Sequence, residues 1–211
     1  MRTRIKFCGI TRADDVRRSV ELGIDAIGLV FTRSSQRFVG IREARAIRSE
    51  LPAFVTAVAL FMDDEPIWIE EVVASVQPDL LQFHGAETDG FASSFARPYI
   101  KAIPMGSTAD VARHASAYPG AAGLLLDSHA HGARGGTGAT FDWARIPPGT
   151  GRQFILAGGL TAANVAQAIA TVRPYAVDVS SGIESAPGIK DAAKMRAFAA
   201  EVRRADAARQ D

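Results

Sequence analysis

The chain carries a single cysteine, set in Arg4-Ile5-Lys6-Phe7-Cys8-Gly9-Ile10-Thr11. This stretch reads as a short strand ending on the thiol, a glycine turn, and Thr11 as the cap of a helix from about Arg12 to Leu22. A thiol at the carboxyl end of the first strand of a βα unit stands where α/β enzymes keep their chemistry. The plainer alternative is a small buried hydrophobe, since free Cys is among the most buried residue types. To act as a base the sulfur must be deprotonated, and an ordinary thiol, with a pKa of about 8.5, is mostly protonated at neutral pH. Lys6, two residues away on the same strand face and deeper, and the N-terminus of the first helix are expected to favour the thiolate. The second candidate is Asp127, directly after Gly123-Leu124-Leu125-Leu126. A carboxyl group at such a strand end can be a general acid if its surroundings raise its pKa; the alternative is a helix cap or an ion-pair partner.

Two glycine-bearing stretches suit an anion. Leu156-Ala157-Gly158-Gly159-Leu160 ends one strand, and Val177-Asp178-Val179-Ser180-Ser181-Gly182-Ile183-Glu184 ends another. Glycines let backbone N–H groups approach a phosphate, serine hydroxyls add donors, and a short helix starting near Ser181 adds its positive end. Gly158, Gly159, Ser180, Ser181 and Gly182 are therefore the expected phosphate contacts, against the alternative that the glycines only make tight turns. Arg37, with Arg33, Ser34 and Ser35 in the same loop, offers a fork for a substrate carboxylate. A solvated or structural arginine competes with that reading. His84, in Gln82-Phe83-His84-Gly85, is a candidate to line the site, and a structural histidine is the alternative. In Asp127…Gly135-Gly136-Thr137-Gly138, Gly135 and Gly136 are expected to let the loop fold over a ligand. His129 and His131 receive no role.

These residues need a scaffold that brings distant strand ends together. Strand-like runs occur at Ile5–Cys8, Ala26–Phe31, Val55–Phe61, Leu80–Phe83, Tyr99–Ile103, Gly123–Leu126, Phe154–Ala157 and Ala176–Val179. Helical patterns follow each, at Ala13–Leu22, Ile41–Leu51, Pro66–Val76, Phe91–Phe95, Ala109–Tyr118, Phe141–Ile146, Ala162–Val172 and Lys190–Ala205. Runs such as Ala57-Val58-Ala59-Leu60-Phe61 suit strands covered on both faces, as in parallel sheets. Alternating strand and helix over the whole chain predicts a single α/β domain, a closed (β/α)₈ TIM barrel spanning residues 1–211, compact beside the usual ~250 residues. Gly23 is expected to stop the first helix. Pro66 is expected to open the third, with Asp63, Asp64 and Glu65 at its positive end. The polar stretch Arg203–Asp211 is expected to fray. In the barrel, the residues after each strand share one rim, and the long second and sixth loops are candidates for substrate contact.

Composition narrows the function classes. At 47% hydrophobic and 22% charged residues the chain can bury a full core. A net charge of +1 gives no electrostatic case for nucleic acid. No apolar run approaches the ~18 residues of a membrane span, so no membrane partner is expected. One cysteine precludes an internal disulfide and suits a reducing compartment; no leader pattern precedes the first strand, and a cytoplasmic location is expected. The four histidines fit no zinc spacing, and neither a metal nor another cofactor is expected.

Taken in chain order, Lys6-Phe7-Cys8-Gly9-Ile10-Thr11, Phe31…Ser35-Gln36-Arg37, Gln82-Phe83-His84-Gly85, Asp127…Gly135-Gly136-Thr137-Gly138 and the two glycine-bearing strand ends resemble the phosphoribosylanthranilate isomerase family of tryptophan biosynthesis. Phe7 and Phe83 stand where that family more often has smaller aliphatics. The resemblance implies an Amadori rearrangement of phosphoribosylanthranilate, with Asp127 as general acid and Cys8 as general base. It also implies Arg37 at the anthranilate carboxylate, Asp178 among the substrate contacts, and no cofactor. Association with other tryptophan-pathway enzymes is left open. The nearest rival is the related barrel isomerase of histidine biosynthesis, which implies a carboxylate where Cys8 stands and a second phosphate site near residues 60–105. A lyase or epimerase on a similar barrel, and a non-catalytic phosphate-binding barrel, are further alternatives.

Overall fold

The computed structural model describes residues 2–106, 110–128, 142–143, 146 and 154–209. Eight parallel strands close on themselves in chain order: β1 (Arg4–Cys8), β2 (Ala26–Val30), β3 (Thr56–Phe61), β4 (Leu80–Phe83), β5 (Tyr99–Pro104), β6 (Gly123–Asp127), β7 (Phe154–Leu156) and β8 (Ala176–Val179). Among the described residues the helices are α1 (Ala13–Glu21), α2 (Ile41–Ser49), α3 (Pro66–Val76), α4 (Asp89–Ser93), α5 (Val111–Ala117), α6 (Val165–Val172) and α7 (Ala192–Ala207). This is the expected TIM barrel. The helix expected at Phe141–Ile146 falls mostly outside the described residues.

Alternate strand residues face opposite layers, and the two layers differ. Outward-facing Ile5, Phe7, Ile27, Leu29, Phe61, Leu81, Phe83, Tyr99 and Leu124 join the helices in one large apolar cluster. Inward-facing Ile100, Ala102, Leu125 and Ala157 form a second, smaller cluster with Leu80 and Ile155 packed against it. Other inward positions are polar: Lys6, Gln82 and Asp178 are all buried. The register places Lys6 opposite Asp178 and Cys8 opposite Gly28.

Four local expectations are corrected. Thr11 does not cap α1; Arg12 is the N-cap residue, without a side-chain cap bond, and the Thr11 hydroxyl donates to the Gly188 carbonyl. A two-stranded hairpin, β9 (Glu184–Ala186) and β10 (Ile189–Lys190), supplies that carbonyl and delays the last helix to Ala192, where Asp191 caps it. Three other helices start elsewhere than the apolar pattern suggested: α4 and α5 begin behind the caps Thr88 and Asp110, and α6 begins at Val165. The C-terminal stretch does not fray at Arg203. Val202 and Ala205 are buried, and Asp206 accepts from the Thr3 N–H and hydroxyl at 2.6 and 2.7 Å.

Punctuation elsewhere follows the sequence. Gly23 adopts φ +64 directly after the C-cap residue Leu22, and Pro66 opens α3. Two of the acids before Pro66 also tie loops. Asp64 accepts from the Thr32 hydroxyl at 2.6 Å and the Met62 N–H at 2.9 Å, and Asp63 accepts from the Ala86 N–H.

Candidate active site

The strand ends surround a cavity of about 590 Å³ at the carboxyl mouth of the barrel. Cys8 from β1, Asp127 from β6, Arg37 from the second loop, His84 after β4, and Asp178 and Ser180 from β8 and its loop all line it. Ser181 lines it as well, while Gly158, Gly159 and Gly182 stay off its wall. Gly135 and Gly136 lie outside the described residues.

Cys8 and Asp127 are both about 6% exposed, so each meets the cavity through a small window. Burial pushes the Cys8 thiol above its ordinary pKa; Lys6 and Lys190 pull it down, Asp178 pushes it further up, and the net direction is upward. Lys6 favours the thiolate as expected, and burial outweighs it. The Gly9 and Ile10 N–H groups that follow the thiol donate to the Gly28 carbonyl at 2.9 and 3.0 Å. Lys6 forms a buried ion pair with Asp178 at 2.8 Å. Burial alone would lower the lysine pKa, but the Asp178 carboxylate outweighs it and holds the ammonium above its ordinary value.

On the opposite wall His84 Nε2 faces Asp127 Oδ2 at 3.4 Å. The Gln82 amide nitrogen sits 3.2 Å from His84 Nδ1. An amide nitrogen can only donate, so Nδ1 accepts and Nε2 is left to carry a proton towards the carboxyl group. His84 therefore has a place beside the acid. Its backbone is braced from outside the barrel. Lys101 pairs with Glu87 at 3.0 Å and donates to the Phe83 and Gly85 carbonyls, while Glu87 accepts from the Gly85 and Asp63 N–H groups.

Arg37 is already held. Its Nε and Nη2 donate to the two carboxylate oxygens of Glu184 at 2.9 and 2.7 Å. Glu184 also accepts from Lys190 Nζ at 2.8 Å. Burial alone would raise the Glu184 pKa, but Arg37 and Lys190 outweigh it and keep the carboxylate ionised. The guanidinium retains Nη1 and the far N–H of Nη2 for a ligand. Lys190 further donates to the carbonyls of Cys8 and Ser180, joining the thiol's strand to the serine loop. Sequence reasoning missed Glu184 and Lys190 as supports, and Gln82 as a lining residue. Lys190 looked like the start of a helix; Pro187-Gly188 between two short apolar-polar pairs was the available hairpin signal.

The seventh and eighth loops pack backbone to backbone. Gly158 and Gly159 take φ +83 and +63, and a Cβ on Gly158 would collide with Ser128. A Cβ on Gly182 would collide with the Leu160 carbonyl, so this glycine joins the two loops. One turn of 3-10 helix, Ser181–Ile183, follows β8 where a short helix was expected. The Ser180 hydroxyl and Gln82 Oε1 are buried without a hydrogen-bond partner among the described residues, and both residues line the cavity. Buried polar atoms of this kind are where a ligand completes the bonding.

A parallel eight-stranded barrel whose mouth cavity holds a thiol, a carboxyl group, an arginine and serine donors is an α/β-barrel enzyme site built for acid–base work on a small anionic substrate. Comparison with known proteins narrows this class. The family model described as N-(5'phosphoribosyl)anthranilate (PRA) isomerase matches residues 5–201. The N-(5'-phosphoribosyl)anthranilate isomerase of Xanthomonas oryzae pv. oryzae is 56% identical, with 97% of this chain and 95% of that protein covered. The crystal structure of phosphoribosyl anthranilate isomerase from Thermotoga maritima superposes with a TM-score of 0.87 at 39% identity, covering 95% of this chain and 98% of that one. Another, 35% identical with a TM-score of 0.78 over 95% and 98% of the two chains, is of the isomerase in complex with reduced 1-(o-carboxyphenylamino)-1-deoxyribulose 5-phosphate. The chain belongs to the N-(5'-phosphoribosyl)anthranilate isomerase family.

Proposed function

We propose that residues 1–211 work as one barrel unit that converts N-(5'-phosphoribosyl)anthranilate to 1-(2-carboxyphenylamino)-1-deoxyribulose 5-phosphate, the isomerisation step of tryptophan biosynthesis that its family carries out. The observation that carries the assignment of roles is the shared cavity. A thiol and a carboxyl group from β1 and β6 line the same mouth as the arginine and the serine loop.

The chemistry is an internal redox exchange between two sugar carbons. Asp127, as the acid, gives its proton to the furanose ring oxygen. The C1–O bond breaks, and the anthranilate nitrogen lone pair forms the C1=N bond of a protonated Schiff base. The Cys8 thiolate then takes the proton from C2. The C–H electron pair becomes the C1=C2 double bond, and the C1=N pair returns to nitrogen. The resulting enol-amine loses its O2 proton and gains one at C1, leaving the ketone. Each proton removed is replaced, so nothing is consumed. His84 stands beside the Asp127 carboxyl group with its tautomer set by Gln82.

The phosphate end belongs at the loops after β7 and β8, where Gly158, Gly159, Ser180, Ser181 and Gly182 make the turn. The buried, unpartnered Ser180 hydroxyl supports an acceptor bound there. The anthranilate carboxylate goes to Arg37, whose orientation Glu184 fixes and whose remaining N–H groups are available. Asp178 contacts the substrate from β8, and Gly135 and Gly136 belong to the loop expected to fold over it. The related structure holding the reduced product analogue supports a ligand with a phosphate at one end and a carboxylate at the other. We place the enzyme in the cytoplasm, in keeping with a soluble substrate; among the described residues no helix is long and apolar enough to cross a membrane.

The test is a fluorescence assay that follows the loss of phosphoribosylanthranilate, coupled to the next pathway enzyme. The account requires turnover by the purified chain. Stoichiometric binding of the product analogue without turnover would instead identify a binding barrel.

A further inference from the structure

The thiol is surrounded by charge, and those charges are not equivalent. Lys6 and Asp178 face it from β1 and β8, Lys190 and Glu184 from the hairpin, and Arg37 from the second loop. Lys190 has three N–H groups, and all three are committed to Cys8 O, Ser180 O and Glu184 Oε1. Arg37 directs its fork at Glu184. The N–H groups that follow Cys8 donate to the Gly28 carbonyl. Lys6 is different. Its hydrogen-bond partner is Asp178 Oδ1 at 2.8 Å, and its ammonium borders the same space as the Cys8 sulfur.

Gly28 makes that approach possible. It sits opposite Cys8 in the β1–β2 register. A Cβ there would lie 2.7 Å from Cys8 Sγ and 3.1 Å from Lys6 Nζ. Ammonium and sulfur both border the space that a side chain at Gly28 would fill. Asp178 pairs with Lys6 across β1–β8, so the ammonium that borders the thiol is also held by a carboxylate.

We propose that Lys6 is the counter-ion of the Cys8 thiolate and that Asp178 sets how much of its charge reaches the sulfur. Both are positioning residues in this respect: they act on the substrate through Cys8. In a water-poor interior an uncompensated thiolate is costly, and one close cation is the cheapest compensation the fold supplies. The proposal deepens the reading of Cys8 as the base, but its test needs no substrate.

The experiment is the rate of iodoacetamide alkylation against pH for the native chain, Lys6→Met and Asp178→Asn. Cys8 is the only thiol, so one label per chain reports on it alone. Lys6→Met should raise the alkylation midpoint by about one pH unit or more, slowing labelling about tenfold below the midpoint. Asp178→Asn should lower it, because the lysine is released to the sulfur and a like charge is removed. Opposite signs are the signature; a merely structural pair would move both variants the same way. An unmoved midpoint in Lys6→Met, or shifts of the same sign, overturns the proposal. Lys6→Met leaves a buried carboxylate alone and can unfold the chain. Lys6→Met/Asp178→Asn removes both charges and must keep its midpoint above that of Asp178→Asn; equal midpoints would also overturn the proposal. If Cys8→Ala turns over normally, the assignment of the base fails, while the alkylation result stands by itself.

Discussion

The two sides of the barrel interior are built from different materials. From β5 to β7 the inward residues below the rim are Ile100, Ala102, Leu125, Ile155 and Ala157, an apolar wall with Asp127 at its top edge. From β8 to β2 they are Asp178, Lys6, Cys8 and Gly28, a buried ion pair beside a thiol over a missing side chain. The β5–β7 wall stabilises by area removed from water, a non-directional effect indifferent to pH. The β8–β2 wall gains little net stability, since desolvating an ion pair offsets much of its attraction. A charged wall is retained where chemistry needs it, and here it borders the mouth cavity. Lys101–Glu87 gives a control. It is equally buried, but it lies outside the barrel and ties the loop that carries His84.

Mutations can break this contrast. The largest effect is expected for Cys8→Ala, which removes the proposed base. Its kcat should fall by about 10⁴-fold, the upper end of a general-base contribution, with product-analogue affinity retained in calorimetry. Asp127→Asn keeps the shape and loses the transferable proton. A kcat loss of about 10²–10⁴-fold with little change in KM is expected, and near-native kcat would return Asp127 to a structural role.

On the apolar side, Ile100→Ala should cost about 2–5 kcal/mol of stability in urea unfolding. The folded fraction should keep its native kcat. A fall in kcat as large as that of Asp127→Asn would erase the distinction between the walls. The smallest effect is expected at the phosphate loops. Gly159 adopts φ +63, so Gly159→Asp adds both backbone strain and like charge. KM should rise about tenfold, a loss of roughly 1.4 kcal/mol, while kcat changes little. An unchanged KM would place the phosphate elsewhere.

What the sequence made legible was local or periodic. Strands could be read where a parallel strand covered on both faces is a short, largely apolar run, as in Ala57–Phe61. Cys8, Asp127, Arg37 and His84 could be placed at one mouth because each directly follows such a run or sits in its loop. Supports that depend on distant partners were not legible. Glu184 and Lys190 acquire their roles only when the hairpin folds over β1 and the second loop. Thr11 resembles a helix cap until the Gly188 carbonyl arrives from the other end of the chain. The net direction of the Cys8 pKa was not legible because burial is set by the whole barrel, whereas the nearness of Lys6 is visible in three letters.

The most direct test of the account is the pH dependence of kcat/KM in Asp127→Asn, where the acid no longer titrates and the free-enzyme ionisation of the base is read alone. Burial holds the Cys8 pKa above its ordinary value, so thiolate is scarce at neutral pH and grows as pH rises. Between about pH 6 and pH 10, spanning the ordinary thiol pKa of about 8.5, kcat/KM should therefore climb, with its midpoint above that value. A profile that is flat across this range, or that falls through it, would contradict Cys8 as the base.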